Sequence, residues 1–529
     1  TSGLALFVVL LVVSLYPLYA PYLPTFISGT GYSLVETASF HVLSTQSLLG
    51  LPLQVFATIV IGFILFGVVL QVTGTARFFT DAAMALMGHS RGGPAKMAAI
   101  SSGLMGSMSG SVISNVLTTG SVTIPLMKRL GYPPRFAAAI EACASAGGVL
   151  MPPVMGATAF VMASFLSRPY ADIMIAAALP SLLYYYSLVV QIDALSARLG
   201  LKGLPSHEIP SLWGTLKRGW PYLFALVLLV YLIVALKIEG QAPFWTSLVL
   251  LALSVLQPGD QRRPLLGLLT EFVDQTGRLL VELVGILAGV GFVLGSLSIT
   301  GMAQAVAREL IHLAGESGLL LLIMGAVTSF ILGTGMTITA CYVFLAVVLA
   351  PALVQVGFDP LAAHLFIFYW GMLSDITPPV ALSVFAASAL AGSDPMRTSV
   401  EAMRLGVMLY ILPFLFVYSP LMILREGLNG PTLLVMVNAA VGIWLMAGGL
   451  QGYLPGIGRP GGGPLVEGLQ RAVMTVGGFL LALPQGFGLI GQTLILPGAN
   501  VAGLVLGLAS AASYAVTQRR ARERWEASA

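Results

Sequence analysis

Apolar runs approaching spanning length recur along the chain, at residues 4 to 22, 52 to 72, 171 to 192, 221 to 236, 243 to 257, 279 to 297, 405 to 424 and 431 to 448. A helix needs roughly 20 such residues to cross a hydrocarbon core, and in lipid every backbone group must be satisfied internally. The pattern therefore predicts an all-α polytopic membrane bundle. Between these runs lie shorter apolar segments with polar interruptions. Segments 94 to 105 and 112 to 127 bracket Gly106-Ser107-Met108-Ser109-Gly110-Ser111, and segments 316 to 331 and 338 to 350 bracket Gly333-Thr334-Gly335-Met336-Thr337. Arms of about 12 to 16 helical residues cover only some 18 to 24 Å of a core near 30 Å. They are predicted to be re-entrant hairpins, whose non-helical tips are tolerated only against protein or a water-filled site.

A second kind of interruption follows each hairpin. Residues 135 to 146 run into Gly147-Gly148-Val149-Leu150-Met151-Pro152-Pro153, and 361 to 373 run into Ser374-Asp375-Ile376-Thr377-Pro378-Pro379. Adjacent prolines remove helix donors and strain the preceding turn, which frees carbonyls within the span. Such carbonyls and half-helix C-termini suit cations, while half-helix N-termini suit an anionic group.

The two sets of breaks are copies. Pro125, Gly131, Pro134, Pro152 and Pro153 reappear 226 positions later as Pro351, Gly357, Pro360, Pro378 and Pro379; Gly74, Gly88 and Ser90 match Gly301, Gly315 and Ser317 at 227. Each unit reads as a spanning helix, an amphipathic arm (76 to 87; 302 to 313), a hairpin, a broken helix and a closing helix. The expected organisation is an N-terminal segment 1 to 34; a first repeat 35 to 199, with hairpin 94 to 127 and broken helix 135 to 167; and a two-span connection 200 to 264. A second repeat 265 to 427 follows, with hairpin 316 to 350 and broken helix 360 to 391, then a C-terminal membrane extension with a basic tail, 428 to 529.

Composition agrees with a membrane protein, since 57% of the 529 residues are hydrophobic and only 9% charged, against about 25% charged in soluble domains. Charge then sets topology. Arg198, Lys202, Lys217 and Arg218, Arg262 and Arg263, and Arg519, Arg520, Arg522 and Arg524 are placed in the cytoplasm by the positive-inside rule. The net charge of +4 calls for no nucleic acid. Lys128 and Arg129 correspond to Val354 and Gln355, so equivalent loops are expected on opposite sides and the repeat is expected to be inverted. No charged n-region precedes the first apolar run, which argues against a cleavable signal peptide and leaves room for an upstream portion. Cys143 and Cys341 read as packing residues, and the five histidines lack ligand spacing.

Candidate chemistry lies at the tips and breaks. Their hydroxyls and free carbonyls are oxygen ligands for a small cation, although a Ser/Gly-rich packing interface gives the same composition. Glu141 and Asp375 lie at bilayer depth, where a charge costs roughly 2.5 to 3.5 kcal/mol. Asp375, beside the second break, is assigned a cation or gating role, whereas Glu141, a turn or more before its break, fits interhelical hydrogen bonding about as well as transport. An ion channel is a rival, but it needs a continuous pore or oligomeric filter. A membrane-embedded enzyme is another; its single GxSxG match, Gly88-His89-Ser90-Arg91-Gly92, lies between helical segments and reads as a polar loop.

The run GLMGSMSGSVISNVLTTGSVTIPLMKRLGYPP, with GGVLMPPVMGATAFVMA and GMLSDITPPVALSVFAASALAG, resembles the large membrane subunit of the tripartite ATP-independent periplasmic (TRAP) transporters. Within that family it is most like the fused type that works with a TAXI-class solute receptor, over about 35 to 425. The resemblance implies an elevator-type secondary transporter of the bacterial inner membrane, with sodium ions driving uptake of a small carboxylate delivered by a periplasmic solute-binding receptor. It also implies a small four-helix membrane subunit, separate or fused, whose trailing end would be 1 to 34. By the same resemblance, sodium and substrate sites pair Ser107, Ser109, Ser111 and Asn115 with Gly147 and Gly148, and Gly333, Thr334, Thr337 and Thr339 with Ser374, Asp375 and Thr377, beside the proline pairs Pro152/Pro153 and Pro378/Pro379. Residues 430 to 517 resemble the C-terminal extension of some fused members, with a shielding or stabilising role expected.

Overall fold

The computed structural model describes residues 4–24, 27–256, 265–315, 317–334, 336–460, 463–483 and 499–526. Arg262, Arg263 and Gly335 lie outside the described residues, as do the side chains of Arg519, Arg520, Arg522 and Arg524. Apart from one isolated bridge between Leu454 and Gly458, the described elements are helices and turns. Seven helices among the described residues are long and apolar enough to cross a membrane: Leu51–Thr73, Tyr170–Leu199, Ser206–Val234, Leu269–Thr300, Pro395–Tyr418, Gly430–Gln451 and Pro464–Ala482.

The expected span at 4 to 22 is not one helix. Its helix ends at Ser14, and short turns Tyr16–Tyr19 and Ala20–Tyr22 follow. Pro17 and Pro21 sit at the starts of these turns, where a missing N–H does no harm. The arms Thr75–Met87 and Met302–Leu313 form as expected, each entered through a left-handed glycine, Gly74 at φ +92° and Gly301 at φ +72°.

Hairpin one has arms Gly93–Ser109 and Val112–Arg129, so its tip is shorter than the sequence suggested. Gly106 to Ser109 stay helical, the Gly110 N–H still bonding to the Gly106 carbonyl (3.1 Å), and the helix ends at Gly110, whose φ of +64° is open to glycine. Ser111 then caps the second arm through the Ser114 N–H. In hairpin two the arms are Gly318–Gly333 and Ile338–Val348, the latter extended by Ala350–Gln355, and Thr337 caps as Ser111 does.

The broken helices cross between the hairpins. Pro134–Gly148 packs within hairpin one, whereas its continuation Ala157–Phe165 packs on the Ile338–Val348 arm of hairpin two. Reciprocally, Pro360–Met372 packs within hairpin two and its continuation Leu382–Ala391 packs on hairpin one. At the far end of that crossing, the Lys128 ammonium at the base of hairpin one donates to the Ala391 carbonyl (2.6 Å). The helix Pro395–Tyr418 then runs back, and Arg425 beyond it pairs with Asp359 at the base of hairpin two (3.0 Å). Twenty-four helical residues cover about 36 Å, so the hairpins enter from opposite ends of the bundle. Arg129 pairs with Glu208 of the 200 to 211 loop, which puts the basic segments at 128–129 and 198–218 at one end.

In the C-terminal extension, Gly430–Gln451 packs along Tyr170–Leu199, and Pro464–Ala482 and Ala499–Glu526 pack outside it. The contact is tied at one end by Arg91, whose guanidinium donates to the Tyr453 hydroxyl (2.9 Å) while pairing with Asp193, and by Arg198 donating to the Gln451 carbonyl (2.8 Å).

Candidate ion and substrate site

Broken helix one stops at Gly148 and resumes at Ala157, with a cis Pro152–Pro153 peptide and a left-handed Met155 (φ +60°) between. Broken helix two stops at Met372, makes the turn Leu373–Asp375, and resumes at Leu382 after a cis Pro378–Pro379 peptide and a left-handed Ala381 (φ +39°). Met155 and Ala381 are themselves 226 residues apart, so the sequence repeat is also a repeat of backbone conformation.

Each tip rests on its break through bare backbone. A Cβ on Gly148 would lie 2.7 Å from the Gly106 Cα and 3.1 Å from the Ser102 carbonyl; one on Gly110 would lie 2.6 Å from the Gly156 Cα. The Met155 N–H reaches across to the Ser107 carbonyl (3.1 Å). In the second repeat a Cβ on Gly333, the counterpart of Gly106 at 227, would lie 2.5 Å from the Gly371 carbonyl and 3.0 Å from the Ser374 hydroxyl. Glycine is required here for close approach, and Gly106 sits in an ordinary helix.

The structure gathers most of the sequence-predicted residues at these two junctions. Asn115 donates to the Ser102 carbonyl (2.7 Å) and the Ser145 hydroxyl (3.1 Å), which leaves its own carbonyl oxygen buried without a partner. Ser109 and Ser111 frame the turn of tip one, and Thr334 bonds back to the Ile331 carbonyl (2.6 Å) at tip two. Ser374 donates to the Gly371 carbonyl (3.2 Å). The Asp375 carbonyl accepts from Ser383 (2.7 Å), while its carboxylate makes no hydrogen bond or ion pair among the described residues.

Three residues face elsewhere. Gly147 turns to the ring of Tyr184, 2.1 Å from where a Cβ would sit, so only Gly148 of the glycine pair meets the tip. Thr377 bonds to the Leu373 carbonyl (2.6 Å) and the Tyr410 hydroxyl (2.5 Å). Thr339 pairs with Thr158 (2.9 Å), across to the other repeat instead of its own break. One-residue steps on a helix rotate a side chain by about 100°, which a linear reading of a motif does not register.

Glu141 makes interhelical hydrogen bonds, one of the two readings given to it, in a polar cage deeper at hairpin one whose other members sequence reasoning did not name. Glu141, fully buried, accepts from Ser102 (2.6 Å) at Oε1 and from Thr123 (2.5 Å) at Oε2, with the Thr119 hydroxyl 2.5 Å from Oε1 and Ser145 at 3.4 Å. The signal was present as Asn115, Thr119 and Thr123 at helical spacing on one face. Ser329, the counterpart of Ser102, has a buried hydroxyl without a partner.

An all-α chain with paired interrupted hairpins and crossing broken helices defines a polytopic membrane transport protein. Residues 2–428 match the family model described as Tripartite ATP-independent periplasmic transporter, DctM component, and the chain belongs to that family. It is a multi-pass protein of the bacterial inner membrane, and membership in a family of transporter permeases leaves no ground for the enzyme reading. The chain is 28% identical over 358 residues, 68% of its length and 82% of the relative's, to the C4-dicarboxylate TRAP transporter large permease protein DctM of Pseudomonas aeruginosa. It is 27% identical over 318 residues (58% and 71%) to the ectoine TRAP transporter large permease protein TeaC of Halomonas elongata. To the isethionate TRAP transporter permease protein DctMQ of Oleidesulfovibrio alaskensis it is 25% identical over 362 residues (68% and 56%).

Proposed function

We propose that this chain carries a small organic acid across the inner membrane, driven by sodium ions bound where each hairpin tip meets its broken helix. The observation that supports the reading best is the pair of tip-on-break junctions with oxygens left free: the Asn115 side-chain carbonyl at the first, and the Ser329 hydroxyl and Asp375 carboxylate at or near the second. A buried polar oxygen without a partner is costly, and a small cation would satisfy it. No Lys or Arg lies in the tips or breaks. The acid's carboxylate would then be held by hydroxyls, half-helix N-termini and the sodium charge itself.

In this reading the hairpins and broken helices move as one body against the remaining spans, an elevator mechanism. A periplasmic receptor, of the TAXI class by sequence resemblance, delivers the acid, and a small four-helix subunit, separate or fused, completes the scaffold. The relatives' names, with C4-dicarboxylate, isethionate and ectoine, fit a small polar acid. The test is receptor-dependent uptake of a panel of radiolabelled small carboxylates into proteoliposomes with and without a sodium gradient. Ser109→Trp and Thr337→Trp are expected to abolish sodium-dependent uptake while the protein still inserts, and unchanged kinetics would remove the tips from the site. Steady sodium current without any carboxylate would favour a channel.

The opposed hairpins give a second expectation. With Cys143 and Cys341 replaced, single cysteines at Arg129 and Gln355 should differ in intact cells, a membrane-impermeant thiol reagent labelling position 355 only. Labelling of both from one side would contradict alternating access.

A further inference from the structure

We infer that Glu141 is a proton-binding site, held between hairpin one and its broken helix and adjoining the Asn115 ion position through Ser102 and Ser145; the inference rests on the reading of the chain as a transporter. Three helices converge on this carboxylate. Ser102 comes from the first arm of the hairpin, Thr119 and Thr123 from the second, and Glu141 with Ser145 from the broken helix. Even the glycine beside it is fitted: a Cβ on Gly120 would lie 3.0 Å from the Glu141 Cγ.

Among the described residues no cation pairs with this carboxylate. The cations on surrounding elements are engaged elsewhere or exposed: Lys96 on the first arm with Asp193, Lys128 and Arg129 at the base of the second with Ala391 and Glu208, Arg135 and Arg404 with Glu401, and Arg397 exposed. Tyr184 and Tyr185, from the helix Tyr170–Leu199, donate to the Cys143 and Ala144 carbonyls, and Cys143 points to the Ala402 carbonyl. The resumed helix Leu382–Ala391 brings no titratable side chain. A buried, unpaired carboxylate is far costlier than a buried carboxylic acid.

The hydrogen count then favours a bound proton. Thr119 has one hydroxyl hydrogen but two acceptors, the Asn115 carbonyl at 2.8 Å and Glu141 Oε1 at 2.5 Å. With the carboxyl ionised one of these contacts lacks a hydrogen. With a proton on Oε1 the acid donates to Thr119, Thr119 donates to Asn115, Thr123 donates to Oε2, and Ser102 donates to either Oε1 (2.6 Å) or Thr119 (2.8 Å), so every contact but one of the Ser102 pair carries a hydrogen, one more than with the carboxyl ionised.

The cage is not a requirement of the fold. At the same places in the second repeat stand Leu345, Leu349 and Ile367 in place of Thr119, Thr123 and Glu141. Those three close hairpin two by apolar packing, and all are buried. Hairpin one is instead closed on its broken helix by a bond set that depends on one proton. Loss of that proton would leave a charge among three helices and loosen the closure, which couples hairpin one to proton binding.

The test uses the full-length purified chain and reads protonation directly. Infrared difference spectra of wild type at neutral pH are expected to show the C=O stretch of a carboxylic acid that is missing from Glu141→Gln and shifted in Thr119→Val. A band unchanged in Glu141→Gln overturns the proposal, and if that variant cannot be purified an unshifted band in Thr119→Val does the same. Asp375→Asn, which should keep the Glu141 band, guards the assignment. Raising pH should then cost wild type about tenfold in its folding equilibrium constant per pH unit beyond the loss in Glu141→Gln, because the folded state holds a proton that the unfolded state releases. Equal pH profiles would also overturn it. None of these readouts uses transport, so a failed sodium-uptake assay and a failed proton assignment stay distinct.

Discussion

Gly148→Val is expected to abolish uptake almost completely and to destabilise the protein. A β-carbon at this position meets backbone on three sides, the Gly106 Cα at 2.7 Å, the Ser102 carbonyl at 3.1 Å and the Gly103 carbonyl at 3.2 Å. Backbone cannot rotate away as a side-chain tip can, so the first arm of hairpin one must lift from the broken helix. Overpacking of this kind costs about 1 to 3 kcal/mol in stability. The functional loss should be larger, because the same shift moves Asn115, which bonds to Ser102 and Ser145 on the two surfaces being separated. Thermal melts and uptake should be compared with Gly285→Ala, where nothing beyond its own stretch of helix lies within 4 Å of the added carbon. That control should be neutral or slightly stabilising, as Gly to Ala within a helix usually is. Normal uptake by Gly148→Val would mean that the tip need not seat on the break.

Much of this architecture was legible because the features that carry it are chemically extreme. Proline pairs interrupt helices wherever they fall, glycines permit left-handed turns, and runs of apolar residues have few soluble uses. The matched spacing of Pro152/Pro153 and Pro378/Pro379 was therefore enough to expect two breaks, and both are found. Helix continuity was harder to read. Gly106 to Ser109 read as a tip by composition, yet the backbone ladder continues through them, with the Gly110 N–H bonded to the Gly106 carbonyl, and the helix ends only at Gly110.

Side-chain direction was harder still. Thr339 and Thr377 belong to the right segments but face Thr158 and Tyr410, because the partner of a side chain depends on how helices distant in sequence cross. Glu141 illustrates the same limit from the other side. Its position was visible as an acid at bilayer depth, whereas its partners come from three helices spread between Ser102 and Ser145. The periodicity of Asn115, Thr119 and Thr123 shows a polar face, and only the fold shows what that face meets.

Asp375→Asn is expected to weaken the sodium dependence of uptake by roughly 10- to 100-fold, with receptor docking unchanged. The carboxylate lies in the turn that ends the first half of broken helix two, next to Ser374, whose hydroxyl faces Gly333 of the opposing tip. It is 9% exposed and takes no hydrogen bond or ion pair among the described residues, so its oxygens are available to a cation, whose binding would hold the carboxyl ionised. The backbone around it is already committed, with the Asp375 carbonyl held by Ser383 and the Ser374 carbonyl by the Ala381 N–H (3.1 Å). Asparagine keeps the size of the side chain and one carbonyl oxygen, and removes only the charge. Interactions with a charged group are worth about 1.5 to 3 kcal/mol, and each 1.4 kcal/mol is a factor of ten in affinity, which sets the range given. The measurement is the half-saturating sodium concentration for receptor-delivered uptake in proteoliposomes, beside receptor binding to the same preparation. A variant that keeps the wild-type sodium response but loses the receptor would place Asp375 on the docking side of the protein and leave the second junction without its charged ligand.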